Sequence, residues 1–148
     1  MANIEIDARR VEVFLDNLSD VFDTTGLMGD IGTYLVQAIL NRTAKGIDYE
    51  GQEFMPYTPS YARFRELSGR QTHPVNLYFS GHMLSAMTYE ADPSRVKIFF
   101  MDTVGPDNMS APAKAYYNDE LREFFSISEE ERNKILDIVS DYIDDHIY

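Results

Sequence analysis

The chain has 148 residues, of which 44% are hydrophobic and 26% charged, with a formal net charge of −12 at pH 7. This composition excludes a disordered acidic chain, which would lack the apolar residues for a core, and predicts a single domain over residues 1–148. No apolar run is long enough to cross a bilayer, and the start MANIEIDARR has no signal-peptide core. Without cysteine, disulfides and thiolate metal sites are excluded.

Acidic and basic residues are unevenly distributed along the chain. Residues 119–148 contain ten acidic residues and three basic ones, whereas residues 61–70 contain three arginines and one glutamate. DNA backbones bind proteins through Lys and Arg, so a chain this acidic is a poor non-specific DNA ligand. A basic middle and an acidic C-terminal part would suit contact between subunits, although a solvated surface explains most such patterns.

The first part of the chain predicts a short strand followed by two helices. Ile4 and Ile6 alternate with polar residues, as in a strand. Asp7 is placed to cap a first helix. Its apolar stripe would be Val11, Phe14, Leu15, Leu18 and Phe22. A second helix follows the DTTG break and ends at Gly46, with Arg42 and Lys45 near its last turn. The inward residues of this second helix are Leu27, Ile31, Leu35, Ala38 and Ile39.

Residues 48–66, DYEGQEFMPYTPSYARFRE, combine loop residues with an unusual amount of apolar surface. Gly51, Pro56 and Pro59 argue against a continuous helix or a central strand, so a long loop is predicted. Its large apolar residues are Tyr49, Phe54, Met55, Tyr57, Tyr61 and Phe64. We expect Phe54 to face the core, and the remaining aromatic residues and Arg65 to face outwards, towards a neighbouring subunit.

The second half predicts a sheet and a last helix. Strands are expected at Val75–Phe79, at Leu84–Glu90 and at Arg95–Phe100, with a turn at Ala91–Ser94 and a loop at Val104–Pro112. The last helix begins with the capping-box pair Ser128 and Glu131. Its apolar stripe is Ile135, Ile138, Val139, Tyr142, Ile143 and Ile147. We expect Ile135, Val139 and Tyr142 to be buried together with Val96, Ile98 and Phe100 of the strand at 95–100. The predicted fold class is α+β, an antiparallel β-sheet with α-helices packed on it and the long aromatic loop between helix 2 and the sheet.

No catalytic constellation is visible. His73, His82 and His146 lie in three segments without metal-type spacing, and the serines at 80 and 85 lack a nucleophile elbow. Asp144 and Asp145 are adjacent, so on a helix they point about 100° apart and cannot share one metal. We therefore predict a protein that is not an enzyme, with no cofactor and no metal site.

Three stretches carry motifs in a fixed order along the chain. The first is G-x-x-F-x-P-Y-T-P-x-Y-A, carried by Gly51, Phe54, Pro56, Tyr57, Thr58, Pro59, Tyr61 and Ala62 and followed by Arg65. The second is LYFSGHMLSAMTYEAD, with Leu77, Ser80, Gly81, Met83 and Met87, and the third is LREFFSISEEE, with Arg122, Phe124, Phe125, Ile127 and Ser128. In this order they resemble the loop, the hairpin and the start of the last helix of the phage virion morphogenesis and tail-completion family of Mu-like and P2-like tailed phages. Ser126 stands where the family has glycine, and KAYYNDE lacks the glycine of the corresponding family segment.

This resemblance implies a structural virion protein that acts in head–tail joining or tail completion. It implies assembly as a homo-oligomer (a ring, hexamer or twelve-mer), at the head–tail junction or tail end, after assembly in the host cytoplasm. Partners would be other neck, portal or tail proteins, with duplex DNA passing through without tight binding and no membrane contact. The expected subunit-interface residues are Tyr57, Tyr61, Arg65, Arg122, Phe124 and Phe125. The net charge leaves an alternative open, an acidic DNA mimic that inhibits a host nucleic-acid enzyme.

Overall fold

The computed structural model describes residues 2–7, 10–15 and 23–147. Within these ranges the elements are β1 (Ala2–Asp7), β2 (Arg10–Leu15), α1 (Thr25–Ala44), α2 (Pro59–Leu67), α3 (His82–Ser85), β3 (Met87–Asp92), β4 (Arg95–Phe100), α4 (Ala111–Leu121) and α5 (Glu129–Ile147). The strands form an antiparallel sheet in the order β1-β2-β4-β3, and α1 packs against β3 and β4. The predicted α+β class is therefore confirmed. None of the helices in these ranges has the length and apolarity that crossing a bilayer requires.

The β3–β4 hairpin confirms the strand predicted at 95–100 and the turn before it. Pro93 and Ser94 form the turn, and the Asp92 carboxylate accepts hydrogen bonds of 2.9 Å from the backbone N–H groups of Ser94 and Arg95. This Asx-type bonding is what Asp commonly supplies in turns. Of β4, the alternating residues Val96, Ile98 and Phe100 are buried.

The first predicted helix is wrong where the structure describes it, because Arg10–Leu15 is the strand β2. Its two valines are fully buried and lie opposite Ile98 and Val96 of β4. A short apolar segment fits both the helical and the strand period, and β-branched residues between two hydrogen-bonded neighbours favour the strand. Leu18 and Phe22, the end of the predicted stripe, lie outside the described residues.

The second predicted helix is confirmed as α1. Its predicted inward residues are buried except Ala38, which is half-buried. The backbone of Gly46 has φ 75° just past the C-cap, as expected for a residue that ends a helix in the left-handed conformation. Gly32 lets the helix approach β3 closely, since a Cβ at this position would lie 2.4 Å from the ring of Tyr89.

Two predicted strands are wrong wholly or in part. Residues 75–79 form no strand, and Leu77 has φ 57°, which lies outside the β region. The strand expected at Leu84–Glu90 begins only at Met87, because residues 82–85 form the short helix α3.

Two helices occupy parts of segments predicted as loops or left unassigned. Pro59, taken as a sign of a loop, is the first residue of α2, where a missing N–H costs nothing. Thr58 caps this helix by accepting a 3.4 Å hydrogen bond from the backbone N–H of Tyr61. In α4 the Ser110 hydroxyl caps the helix in the same way, with Pro112 in the first turn. The aromatic loop is thus shorter than predicted and ends at Thr58.

The capping box of the last helix is confirmed. The Ser128 hydroxyl accepts from the Glu131 N–H, and the Glu131 carboxylate accepts from the Ser128 N–H, both at 3.1 Å. Helix α5 packs on α1, and its residue Ile135 is buried in the same core as Val96, Ile98 and Phe100, as expected. The β4 residue Phe100 also contacts Phe125 and Phe124, with ring centroids 4.8 and 6.2 Å apart.

Arg42 connects the end of α1 to the start of α5. Its Nε lies 2.9 Å from the Glu131 carboxylate, and its Nη2 and Nη1 donate to the carbonyl oxygens of Ser126 (2.7 Å) and Phe124 (3.2 Å). The capping residue Glu131 therefore also compensates a buried guanidinium. A buried charge with this number of partners avoids the desolvation cost of an unpaired one.

Candidate functional site: an aromatic groove

A groove of about 730 Å³ lies between α2, the segment around α3 and α4. We call it the aromatic groove, and its lining residues are Tyr57, Thr58, Tyr61, Phe64, Arg65, Leu77, Phe79, Ser80, Gly81, His82, Met83, Pro106, Asp107, Met109, Lys114, Tyr117, Asn118, Leu121 and Arg122. Its volume is in the range of natural binding clefts. Segments far apart in sequence therefore meet around one concave surface.

Arg65 holds the floor of the groove, the segment between α2 and α3, by hydrogen bonds. Its Nε donates to the Gln71 carbonyl at 2.8 Å, and its Nη2 donates to the Tyr78 carbonyl at 2.6 Å and to the Asn76 side chain at 3.3 Å. The side chain is 1% exposed. The planar guanidinium, with several donors in fixed directions, can hold two backbone carbonyls at once, which the ammonium of lysine cannot do equally well. Arg65 thereby holds the segment after α2 in its irregular, non-strand conformation.

Tyr57 lies between two arginines at the meeting point of the three motif-like stretches. The guanidinium carbons of Arg65 and Arg122 lie 4.5 and 5.0 Å from its ring centroid. The Tyr57 hydroxyl accepts a 3.2 Å hydrogen bond from the Leu77 N–H. Arg122 also donates to the carbonyls of Met55 (2.7 Å) and Pro56 (3.1 Å), and burial lowers the pKa of its guanidinium. Cation–π contacts and charge-assisted hydrogen bonds thus tie all three stretches to the aromatic loop.

The walls of the groove expose large apolar side chains. Tyr61 and Phe64 follow Tyr57 in a series of rings, with centroid distances of 5.2 and 6.1 Å, and Phe64 stacks on Phe79 at 5.6 Å. On the opposite wall, Leu121 is 61% exposed, and Tyr117 is exposed as well. Exposed apolar side chains that are contiguous on a folded chain usually mark an interaction site.

A polar cluster forms part of the groove lining. The Lys114 ammonium contacts the Asp107 carboxylate at 2.9 Å and the His82 Nδ1 at 3.2 Å, while the His82 Nε2 lies 2.9 Å from the Thr103 hydroxyl. The hydrogen bond from Lys114 lowers the pKa of the Asp107 carboxyl. The backbone at Gly105 lies close to the His82 ring. A Cβ at this position would lie 2.6 Å from the His82 Nδ1, so only glycine leaves room for the cluster. The cluster can anchor a polar group of a bound partner. Among the described residues, no group of three or more His, Asp or Glu side chains is arranged to hold a metal ion.

The predicted interface residues divide into two groups. Arg65, Arg122, Phe124 and Phe125 are buried inside the chain, so their side chains are not presented to a neighbouring subunit, and the expectation that Arg65 faces outwards is wrong. Each has partners within the chain instead, as described above. Tyr57 is half-buried and Tyr61 is exposed, both in the groove, and their contact with a partner stays a prediction. The inward orientation of Phe54, which is 5% exposed, is confirmed.

Asp119 completes the support beneath Phe125. Its carboxylate accepts a 2.9 Å hydrogen bond from the Phe125 N–H. Burial raises the pKa of Asp119 to about 6, with a further contribution from Glu123, and the Phe125 amide and Arg42 only partly oppose this shift. A carboxyl group that holds the Phe125 backbone therefore changes protonation close to neutral pH.

The sequence reasoning missed the α4 wall and the polar cluster. Tyr117 and Leu121 are four residues apart, which places them on one face of a helix, and Ser110 with Pro112 is a signal for a helix start. These two observations together could have identified the wall. The contact between His82 and Lys114 joins residues 32 positions apart and had no local signal.

Comparisons with protein-family models, with curated proteins and with solved structures found no match to this chain.

Proposed function

We propose that this chain is a structural protein of a tailed-phage virion that acts in head–tail joining or tail completion by forming homo-oligomers. The observation that carries the proposal is the convergence of the three motif-like stretches on Tyr57. Residues that resemble one family in three separated segments contact one another through Arg65 and Arg122. A shared structural role explains why such residues would occur together.

The surface of the groove supports assembly over catalysis. Tyrosine, phenylalanine, leucine and methionine dominate its exposed lining, and aromatic residues and methionine are enriched in protein–protein interfaces. Most polar side chains of the groove lining already form hydrogen bonds or ion pairs with each other or with backbone carbonyls. On this proposal the protein uses no cofactor, and its partners are further copies of itself and other neck, portal or tail proteins of the virion.

The net charge supports passage of DNA without tight binding. A chain of −12 repels phosphate, so duplex DNA can move past it at the head–tail junction or tail end. The same charge also fits the second candidate, an acidic DNA mimic that inhibits a host nucleic-acid enzyme. The exposed carboxylates of α5 favour that candidate, whereas the apolar groove favours virion assembly.

The test uses affinity-tagged protein expressed during infection by the phage that encodes it. We expect the purified virions to contain the wild-type protein, and pull-downs to recover portal, neck or tail proteins. Tyr117→Ser, in the groove wall, should reduce incorporation into virions. Leu67→Ser is the control, because Leu67 is a large apolar residue that is 77% exposed and does not line the groove.

Three outcomes would contradict the proposal or its site. Virions that lack the protein would exclude a structural virion role. Recovery of a host nuclease or polymerase without virion proteins, with binding that weakens steeply as salt increases, would support the DNA mimic instead. Equal incorporation of the Leu67 and Tyr117 variants at equal stability would show that the aromatic groove is not the assembly surface.

A further inference from the structure

We infer that the aromatic groove of one copy binds the acidic outer face of α5 from a neighbouring copy, so that copies join head to tail. This inference rests on the proposed homo-oligomeric assembly and names the two surfaces that meet. Purified protein is sufficient to test it, whereas incorporation into virions tests the proposed function.

The groove is positively charged relative to the rest of the chain. Its lining contains the cationic side chains of Lys114, Arg65 and Arg122, of which the two arginines are buried and act only through their electrostatic potential, and one carboxylate, that of Asp107. Fixed charges in a cleft with low-dielectric walls raise the local potential more than the same charges on an open surface. In a chain of net charge −12, this groove therefore favours an occupant that is both apolar and acidic.

The outer face of α5 has these two properties. Asp137, Asp141 and Asp144 follow at helical spacing and are exposed, and no described residue lies within ion-pair distance of their carboxylates. Leu136, about 100° around the helix from Asp137, is 46% exposed although it belongs to a helix whose other face packs on α1. The exposed part of α5 thus offers an apolar side chain next to a row of carboxylates, which complements an apolar groove that contains a lysine.

Contact between two different surfaces allows a heterologous, head-to-tail arrangement. If two grooves met each other, cations would face cations, and like charges in an interface are unfavourable. Helix α5 supplies no residue to the groove lining, so one copy can offer both surfaces at the same time. Contacts of this type continue from copy to copy until the rotation closes a ring, or they extend as an open chain.

The experiment uses two variants that each disable one surface. The groove variant carries Tyr117→Glu and Leu121→Glu, and the helix variant carries Asp137→Lys and Asp141→Lys; all four positions are exposed. Analytical ultracentrifugation should show oligomers for the wild type and self-association weakened by about a hundredfold or more for each variant alone, because like charges then meet. Mixed in equal amounts, the variants retain one intact contact, between the groove of the helix variant and α5 of the groove variant, and in the other contact the introduced glutamates meet the introduced lysines. The mixture should therefore recover self-association that neither variant shows alone.

A charge control and a folding control accompany the variants. Glu50→Lys with Glu53→Lys changes the net charge as much as the helix variant does, at exposed positions outside both surfaces, and should assemble like the wild type. Urea unfolding of every variant shows that each is folded, and a variant that is not folded is replaced by the corresponding single substitution.

The inference is overturned if the wild type stays monomeric up to its solubility limit or if the helix variant assembles normally. A mixture that contains only monomers also overturns it, as does a charge control that dissociates like the helix variant.

Discussion

Arg65→Lys tests whether a single buried guanidinium holds the groove floor. The substitution retains the positive charge and most of the aliphatic stem, but it replaces a planar group that bonds the Gln71 and Tyr78 carbonyls from different nitrogens. The lysine ammonium can reach one of these carbonyls while the other is left without a donor. The segment between α2 and α3 would then lose its main attachment.

The expected cost follows from the bonds that are lost. A hydrogen bond to a charged group contributes about 1.5–3 kcal/mol, and leaving a buried carbonyl unpaired costs about 1–3 kcal/mol. Loss of one of the two short bonds, with weaker cation–π contact to Tyr57, should therefore lower the free energy of unfolding by about 2–4 kcal/mol.

The measurement is urea denaturation followed by circular dichroism, comparing midpoints at an unchanged m-value. Arg63→Lys is the matched control, because Arg63 is exposed on the same helix. It should change the unfolding free energy by less than about 0.5 kcal/mol. If Arg65→Lys costs less than about 1 kcal/mol, or no more than the control, the guanidinium does not hold the floor as described.

Three further predictions concern the packing beneath the groove and the sheet. Gly32→Ala should destabilise the fold by about 1–3 kcal/mol in chemical denaturation, because the added methyl meets the Tyr89 ring, whereas Gly26→Ala, with open space around it, should be neutral or stabilising. Phe100→Ala should cost about 3–5 kcal/mol by the same assay, and an unchanged midpoint would contradict its place in the core. The raised pKa of Asp119 means that the folded state binds its proton more tightly than the unfolded state, so this stabilisation is complete below pH 4 and is lost as pH rises through about 6. Asp119→Asn should remove this dependence. The shift corresponds to about 3 kcal/mol at full strength, and solvent screening of this half-buried group reduces it, so the unfolding free energy of the variant relative to wild type should rise by about 1 kcal/mol between pH 4 and pH 7.5. A constant difference would contradict the assignment.

The burial of Arg65 and Arg122 changes which substitutions can test assembly. From the sequence, both arginines are expected at a subunit interface, and charge reversal there would be the natural test. Since both are buried within the chain, glutamate at either position should destabilise the protein itself and would not report on an interface. Exposed groove residues such as Tyr117 are therefore the better probes.

Several features could be read from the sequence because their signals lie within one element. The capping box at Ser128, the turn before β4 and the C-terminal Gly46 of α1 each depend on residues a few positions apart. The alternation of buried residues in β4 has the period of a strand, and the apolar stripe of α1 has the period of a helix. For such elements the local backbone preference and the burial pattern agree, so no distant contact is needed to predict them.

Only the tertiary structure decided the remaining features. The segment Arg10–Leu15 fits two periods, and the pairing of β2 with β1 and β4 selects the strand. Residues 75–79 alternate like a strand, yet the hydrogen bonds of Arg65 and the left-handed backbone of Leu77 hold them as a loop. The aromatic groove likewise depends on Tyr57, Lys114 and Arg122 coming together from distant parts of the chain. Local sequence determines where a helix or strand begins and ends and which of its residues are apolar. The burial of charged side chains and the shape of the groove depend on long-range contacts that no single segment encodes.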